Sequence, residues 1–358
     1  MKKLHNTEDS SLLRQQMMES DEKRVTISFY KYWQIGNPQF FRDYLFAHWS
    51  EMGVFGRTYV SGEGINAQIS VSNENFDTFK EHLFSVSFLN GIRLNVAIED
   101  DGKSFYKLII KVRNKIVADG LDDSSFDVTQ CGKHLSAKEF NQLTDQDDTI
   151  LIDMRNHYES EVGHFEGAWC PDVDTFREEI SLVEQELEDH KDKNIVMYCT
   201  GGIRCEKASA WLKHQGFENV HQLNGGIIEY ARQVENQGLK NKFIGKNFVF
   251  DERMGERISE EVIAVCHQCG TPCDTHTNCA NDMCHLLFIQ CESCAEKNDG
   301  CCSSECKDVY NLPEDEKVKM RKGRNYSQKD FHKGRSSHLP YAPAKKESQR
   351  LPINEETV

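Results

Sequence analysis

The stretch that decides the fold of the central part of the chain is residues 194–212, which read NIVMYCTGGIRCEKASAWL. Residues 194–198 form a short apolar run of the kind that fills a buried parallel strand. Further on, Ala208, Trp211 and Leu212 recur at helical spacing and predict the inward face of a helix. Cys199 is therefore expected at the turn between a buried strand and the beginning of a helix.

The sequence before this stretch continues the alternation of strand and helix. Residues 149–152 form another apolar run, and residues 176–190, between the two runs, have a helical pattern. Such alternation is typical of an α/β domain built on a parallel sheet. We assign residues 121–240 to this domain.

A cysteine in the predicted turn faces the unpaired N–H groups and the positive dipole end of the helix. Both favour the thiolate, which is the nucleophilic form of cysteine. Gly201 and Gly202 would let backbone amides approach the sulfur, and Arg204 would add a fixed positive charge. A merely structural cysteine would leave this combination without a reason. We therefore predict Cys199 and Arg204 as catalytic residues, in a substrate loop that also contains Thr200, Gly201, Gly202 and Ile203.

The pattern of residues 24–120 predicts a smaller domain that also contains both strands and helices. The pattern places strands at residues 25–30, 53–59, 65–71 and 93–98, and helices after Asn37 and Asn73. The resulting order, βαββαβ, is that of a ferredoxin-like fold. Residues 1–23 are mostly polar and are expected to form an N-terminal arm.

Basic residues alternate with apolar ones near the end of this domain. Because successive side chains of a strand point to opposite faces, the pattern predicts one apolar face and one positive face. Such a row could bind the phosphates of RNA, although lysines on an exposed sheet edge also serve to prevent aggregation. The predicted RNA-binding residues are Lys107, Lys111, Arg113 and Lys115.

Residues 241–308 form a cysteine-rich region that contains ten of the fourteen cysteines. Two Cys-x-x-Cys pairs, the usual half-sites of structural zinc, predict one metal site from Cys266, Cys269, Cys291 and Cys294. A second site would draw on Cys273, Cys279, Cys284, Cys301, Cys302 and Cys306. A segment with so little core of its own would gain stability from a metal. An iron–sulfur cluster and metal-free cysteines remain alternatives.

The net charge of −15 argues against indiscriminate binding to nucleic acid. Residues 317–350, however, carry eleven Lys or Arg and only two acids. We expect residues 309–358 to form a basic, disordered tail, which either meets a nucleic acid or is simply solvated. The sequence has neither an apolar run of membrane-spanning length nor a secretory signal, so a cytoplasmic protein with reduced cysteines is expected.

The five-residue step from Cys199 to Arg204 resembles the active-site loop of rhodanese sulfurtransferases. Dual-specificity phosphatases have one more residue in this loop, because a phosphate needs a wider cradle than a persulfide sulfur. The resemblance implies a structural role for Asp153 and Arg155. It is supported further by Glu159, residues 163–168 and residues 223–227.

A narrower resemblance covers nearly the whole chain. Residues 62–69, 112–120, 199–211 and 245–254 are similar to the bacterial tRNA uridine-34 hydroxylase family. This resemblance implies an acylphosphatase-like N-terminal domain, a rhodanese domain and oxygen-dependent conversion of the wobble uridine, in the anticodon loop of tRNA, to 5-hydroxyuridine. Cys199 would add to C6 of the uracil, or carry a persulfide with Cys205 as the resolving thiol. No flavin or nicotinamide motif identifies an electron donor.

Two other functions remain open on the residues alone. One is a plain sulfurtransferase that moves sulfur to a thiol, to cyanide or to tRNA. The other is a noncatalytic, zinc-dependent RNA-binding or scaffold protein, although degenerate rhodanese domains typically lose the cysteine that this chain retains.

Overall fold

A computed structural model describes residues 4–6, 8–122, 124–322, 333–345 and 351. The chain begins with helix α1 (Ser10–Glu19), where Asp9 caps the first turn by accepting hydrogen bonds from the backbone N–H groups of Ser11 and Leu12. The Nζ of Lys103 donates to the carbonyl of Met17, at a distance of 2.8 Å. The expected N-terminal arm is therefore partly helical and lies against the first domain.

The first domain has the predicted βαββαβ order. Its elements are β1 (Arg24–Tyr32), α2 (Pro38–Glu51), β2 (Phe55–Ser61), β3 (Gly64–Ser72), α3 (Phe76–Ser85) and β4 (Asn95–Val96). The sheet order is β4-β1-β3-β2, with antiparallel neighbours, so the ferredoxin-like prediction is confirmed. A further strand, β5 (Leu108–Val112), extends this sheet parallel to β2.

The two faces of this sheet differ in polarity, because side chains alternate along each strand. Ile27, Ala67 and Ile69 lie on the apolar face, in one core cluster with Trp49 of α2 and Phe79 of α3. The other face carries polar and aromatic side chains and is turned towards the second domain. The sheet is thus both a core element and a wall of the site described below.

The second domain contains the predicted parallel sheet. Its elements are β6 (Lys133–Leu135), α4 (Ala137–Leu143), β7 (Thr149–Asp153), α5 (His157–Ser160), β8 (Gly163–Phe165), α6 (Phe176–Glu186), β9 (Asn194–Tyr198), α7 (Ile203–His214), β10 (Val220–Leu223) and α8 (Gly226–Gln237). The sheet order is β6-β10-β9-β7, and all three pairs are parallel. Residues 195–198 of β9 are fully buried, as an apolar run with helices on both faces of the sheet requires.

The cysteine-rich region is joined to the second domain by strand pairing. Its elements are β11 (Phe243–Asn247), β12 (Glu256–Arg257), β13 (His276–Asn278), β14 (Leu287–Ile289), α9 (Glu292–Asn298), α10 (Ser304–Tyr310) and α11 (Glu314–Lys322). Strand β11 pairs antiparallel with β8 of the second domain. This pairing attaches the start of the region to the second domain.

The described parts of residues 309–358 are folded, whereas the sequence predicts a disordered tail. Helix α11 lies within it, and residues 333–345 fold back onto the protein. Leu339 is only 4 % exposed and packs beside Phe288, while Arg335 forms an ion pair with Asp172. This segment folds onto the protein because Leu339 is buried in a hydrophobic cluster and Arg335 is paired with a carboxylate. Residues 323–332, 346–350 and 352–358 lie outside the described part of the chain.

Among the residues that the structure describes, no helix combines the length and the apolar character needed to cross a membrane.

Candidate active site

Cys199 lies where the sequence predicts it, directly after β9 and before α7. Its sulfur accepts a hydrogen bond of 3.1 Å from the backbone N–H of Gly202, which has a left-handed φ of 103°. A side chain on Gly226 would meet the carbonyl oxygens of Cys199 and Thr200 at 2.5 Å. The glycine at that position therefore lets the start of α8 support the loop from behind.

The surroundings of Cys199 favour its thiolate. Burial opposes ionisation, but a hydrogen bond from the Cys205 thiol, the charge of Arg204 and the backbone N–H groups of both residues outweigh it. Together they lower the pKa of Cys199 to about 5. Burial and the neighbouring Cys199 raise the pKa of Cys205 well above its ordinary value, so that this thiol keeps its proton. The two cysteines form a thiolate and its hydrogen-bond donor.

Arg204 acts on the sulfur through its charge. Its two terminal nitrogens donate to the two carboxylate oxygens of Glu159, at 2.7 and 2.8 Å. Both side chains are buried, and Glu159 also accepts a hydrogen bond from the backbone N–H of Asn156. The sequence predicts the charge on Arg204, but the carboxylate that orients it lies 45 residues away in the chain.

A second buried carboxyl lies near this pair and was missed by the sequence analysis. Glu179 of α6 is 0 % exposed, and neither of its carboxyl oxygens has a hydrogen-bond partner among the described residues. Burial raises its pKa well above the ordinary value, and the charges of Asp153, Glu159 and Cys199 add to the shift, although Arg204 opposes it. The protonated form of Glu179 is therefore favoured in the folded protein. A glutamate in an amphipathic helix gives no sequence signal of such burial.

The sulfur lies at a cavity of about 430 Å³, a volume within the range of small-molecule sites. The reactive loop contributes Cys199, Thr200, Gly201, Ile203 and Arg204 to its lining. The polar face of the first domain contributes Tyr30, Tyr59, Asn66, Gln68 and Asn95, and other parts of the chain contribute Phe176, Phe250 and Lys333. The site thus combines residues of the first domain, of the second domain and of two later segments, at Phe250 and Lys333.

Lys333 reaches this cavity from the segment that follows α11. Its Nζ donates to the hydroxyl of Tyr158 at 2.9 Å and lies 4.7 Å from the centre of that ring and 5.7 Å from the centre of the Phe250 ring. Burial lowers its pKa, and the charge of Glu159 opposes the shift. Lys333 lies in the segment that the sequence predicts as a disordered tail, so no pattern there indicated a site residue.

The four predicted RNA-binding residues do not form one row. Strand β5 ends at Val112, and the alternation that predicted a common face stops with it. The Nζ of Lys115 turns inward to Asp119, at 2.6 Å, and that of Lys107 contacts the hydroxyl of Ser10. Lys111 and Arg113 are exposed at the sheet edge. Both residues lie next to Tyr59, which lines the cavity. Lys111 pairs with Tyr59 across the sheet, and the guanidinium of Arg113 lies over the Tyr59 ring.

The ten cysteines of the C-terminal region form two groups of four, with two left over. One group is the predicted Cys266, Cys269, Cys291 and Cys294; the other is Cys279, Cys284, Cys302 and Cys306. The sulfur of Cys269 lies 3.6 Å from that of Cys291, and the sulfur of Cys302 lies 3.6 Å from that of Cys306 and 3.7 Å from that of Cys284. Four sulfurs at about 2.3 Å from one tetrahedral ion lie about 3.8 Å apart. Both groups therefore fit a metal ion, without Cys273 and Cys301.

Glu63 joins the first domain to the second, whereas Asp153 and Arg155 pair within the second domain. Glu63 of the first domain forms an ion pair with Lys207 of α7 and accepts a hydrogen bond of 2.7 Å from the backbone N–H of Ile116. Asp153 and Arg155 form a buried, doubly hydrogen-bonded pair beneath the sheet, at 2.8 and 2.7 Å. These contacts support the walls of the cavity without lining it.

Comparisons with protein families match three parts of the chain. Residues 24–116 match the UPF0176 acylphosphatase-like domain, residues 136–233 match the rhodanese-like domain, and residues 244–307 match the family described as rhodanase C-terminal. A solved structure of a rhodanese-related protein from Thermoplasma volcanium is 18 % identical and covers 30 % of this chain and 95 % of its own, with a TM-score of 0.24.

Relatives of known sequence match almost end to end. The tRNA uridine(34) hydroxylase of Enterobacter sp. (strain 638) is 56 % identical, over 93 % of this chain and 95 % of its own. Those of Pectobacterium atrosepticum and Escherichia fergusonii are 56 % and 57 % identical, over 96 % and 93 % of this chain and 99 % and 95 % of their own. With this identity over nearly the full length, and with the acylphosphatase-like and rhodanese-like domains both present, the chain belongs to the tRNA uridine(34) hydroxylase family.

Proposed function

We propose that this protein converts uridine 34 of tRNA to 5-hydroxyuridine, with molecular oxygen as co-substrate and Cys199 as the reactive group. The observation that carries the proposal is a thiolate at a cavity lined by amide and aromatic side chains, in a chain of this family. A wobble base lies in an exposed loop and can be turned out of its stack into such a pocket. A tRNA substrate also supports the proposal of a cytoplasmic location.

The Cys199 thiolate would activate C5 of uracil, which is not nucleophilic enough to react with an oxidant unaided. Addition of the sulfur to C6 moves the electron pair of the C5–C6 double bond onto C5 and O4, which makes C5 nucleophilic. An electrophilic oxygen then bonds to C5, and loss of the C5 proton and of the thiolate restores the double bond. Because only one atom of O₂ enters the product, a reductant must supply two electrons to reduce the other to water.

Cys205 and Arg204 serve the sulfur in this scheme. The sulfur must be ionised before it adds and must leave as a thiolate, and both residues lower its pKa. We assign Cys205 the role of hydrogen-bond donor. The other candidate role, resolving a persulfide on Cys199, would require it to form a disulfide with Cys199 during turnover.

We propose the exposed edge of β2 and β5 as the surface that binds the anticodon loop. Lys111 and Arg113 lie beside Tyr59 at the cavity, so they are placed to contact phosphates next to a bound base. Replacing both by Ala is expected to weaken tRNA binding and to reduce the dependence of log Kd on log salt by about 0.7 per lost contact. Lys107→Ala, at a residue already occupied with Ser10, is the matched control.

We propose that each group of four cysteines binds one zinc ion. The donor set of four thiolates and the spacing of the sulfurs suit tetrahedral zinc. Bound zinc would link the turn around Cys266 to α9, and the segment around Cys279 to α10, next to two strands, β13 and β14, that are only three residues long. No catalytic step is assigned to it.

Nucleoside mass spectrometry of tRNA tests the proposed activity. A deletion strain is expected to lose 5-hydroxyuridine, to recover it with the wild-type chain, and to remain without it when given Cys199→Ala. Cys131→Ala, a cysteine that does not line the cavity, is the matched control and should restore the modification. Loss of 4-thiouridine or 2-thiouridine in place of 5-hydroxyuridine would favour the sulfurtransferase, and unchanged tRNA would exclude both activities.

A further inference from the structure

The register of the first sheet brings a set of polar side chains onto the wall of the cavity. Gln68 of β3 pairs with Ser28 of β1, and Ser28 pairs in turn with Asn95 of β4. One step along the same face, Asn66 pairs with Tyr30 on one side and Tyr59 on the other. Side chains two apart on a strand point to the same face, so Asn66 and Gln68 are neighbours on this wall.

This wall is attached to the reactive loop. The side-chain amide of Asn95 donates to the carbonyl of Gly201 at 3.3 Å, and a side chain on Gly202 would meet the hydroxyl of Tyr30 at 2.8 Å. The sheet and the loop therefore contact each other at one end of the cavity and form facing walls around it. A planar base between them would have one edge towards the sheet and the other towards Cys199.

The amide of Asn66 has a defined orientation. Its Nδ2 donates to the backbone carbonyl of Ile116 at 3.2 Å, which leaves Oδ1 as the atom available to a ligand. Neither Oδ1 of Asn66 nor the amide of Gln68 has a hydrogen-bond partner among the residues described, and both side chains are only partly buried. The wall thus offers a fixed acceptor beside an amide that is free to donate.

We infer that Asn66 and Gln68 read the N3–O4 edge of the uracil; the inference rests on the proposed function. Oδ1 of Asn66 accepts the N3–H, and Nε2 of Gln68 donates to O4. In the six-membered ring N3 lies across from C6, so a base held by the sheet places C6 on the side of the wall that carries Cys199, whose sulfur adds to C6 from one face of the ring. The donor from Gln68 also reaches the oxygen on which negative charge develops when the thiolate adds.

The arrangement discriminates against cytosine. Cytosine has a lone pair at N3 in place of the proton, and this lone pair would face the fixed oxygen of Asn66. Turning the amide over to match cytosine would break its hydrogen bond to Ile116 and place its oxygen against that carbonyl. Sites that hydrogen-bond one base edge reject the wrong base strongly, because the polar groups of the site are then left unpaired.

The test is binding of synthetic anticodon stem-loops that carry uridine, cytidine or an abasic nucleotide at position 34, measured by fluorescence anisotropy on the full chain. The wild-type protein is expected to bind the uridine stem-loop about ten-fold more tightly than the cytidine one. Asn66→Ala should bring this ratio close to one while affinity for the abasic stem-loop stays unchanged. Gln68→Leu, which removes no hydrogen bond within the described protein, should weaken binding of the uridine stem-loop several-fold.

Asn73→Ala is the matched control, because Asn73 is exposed just beyond the same strand. A wild-type ratio in Asn66→Ala, together with wild-type affinity in Gln68→Leu, would overturn the inference. Because this assay needs no turnover, it is independent of the proposed hydroxylation. If 5-hydroxyuridine persists in the deletion strain, the proposed function fails; if it is lost but the wild-type chain shows no preference for uridine over cytidine, only the inference fails.

Discussion

At the scale of single residues, the site depends on where protons reside. Cys199 is a thiolate, Cys205 beside it a thiol, Arg204 a cation paired with Glu159, and Glu179 favours its protonated form. Burial and neighbouring charges shift the pKa of Cys199 downwards and that of Glu179 upwards, each away from the value that the group has in water. Both of the following predictions concern these proton positions.

The reactivity of Cys199 should show its low pKa directly. The thiolate is the form that reacts with iodoacetamide, so the alkylation rate of Cys199 should be constant from neutral to alkaline pH and fall to half near about pH 5. Mass spectrometry of the peptide that contains Cys199 follows it separately from the other cysteines. Cys205→Ala should raise the pKa by about one, since it removes a hydrogen bond to a charged group. A rate that rises steadily up to about pH 9 would contradict a stabilised thiolate.

Glu179 should make stability depend on pH. Its pKa is raised in the folded protein, so the folded state keeps a proton that the unfolded state loses above about pH 4.5. The free energy of unfolding then falls as the pH rises from that value towards the folded pKa. Glu179→Gln, which is neutral at every pH, should therefore raise Tm at pH 8 by several degrees and have little effect near pH 4.

Glu159→Gln is the contrasting variant. It removes the charge that pairs with buried Arg204, and breaking a buried ion pair costs about 3–5 kcal/mol. Calorimetry of the two variants at several pH values should give opposite signs at pH 8. A loss of stability in both variants would show that Glu179 is ionised in the folded protein.

At the scale of elements, the sequence predicts structure formed by neighbouring residues but not contacts between residues that are distant in the chain. The turn at Cys199 could be predicted because the strand, the glycines and the helix that shape it are contiguous. The positions of the basic side chains from Lys107 to Lys115 could not be predicted in the same way. Alternation fixes the direction of side chains only within a continuous strand, and β5 ends at Val112. Glu159 and Asn66 take their roles from partners in other elements, which no spacing within the chain reveals.

The short elements of the C-terminal region should depend on metal. The protein as purified is expected to contain two zinc ions per chain by mass spectrometry, and Cys269→Ser combined with Cys294→Ser should reduce this to one. Chelation should melt the region at a lower temperature than the rest of the chain, since its strands have little core without the ion. Cys273→Ser, outside both groups, is the control. An iron content with visible absorbance would instead indicate an iron–sulfur cluster.

At the scale of the whole molecule, the cavity is shared by the first domain, the rhodanese domain and the segment at 333–345. The last of these is tied down by Leu339 and by the ion pair of Arg335 with Asp172. A chain that ends at residue 332 should lose about 2 kcal/mol of stability, from the burial of Leu339, and should form markedly less 5-hydroxyuridine in the deletion strain because Lys333 no longer closes the cavity.

A chain that ends at residue 345 keeps this segment and is the matched control. Lys333→Met separates the two effects, since it removes the charge at the cavity while leaving Leu339 in place. Full activity in the chain that ends at residue 332 would show that the segment does not contribute to catalysis.

The position of Lys333 has a consequence for the order in which the enzyme is made. Ribosomes release the chain from its N-terminus, so the sheet that carries Asn66 can fold first, the turn that carries Cys199 later, and the lysine follows later still. A nascent chain would then hold a reactive sulfur in an unfinished pocket for the time needed to translate more than a hundred further codons. Oxidative damage to Cys199 should accordingly be concentrated in newly made or prematurely terminated chains.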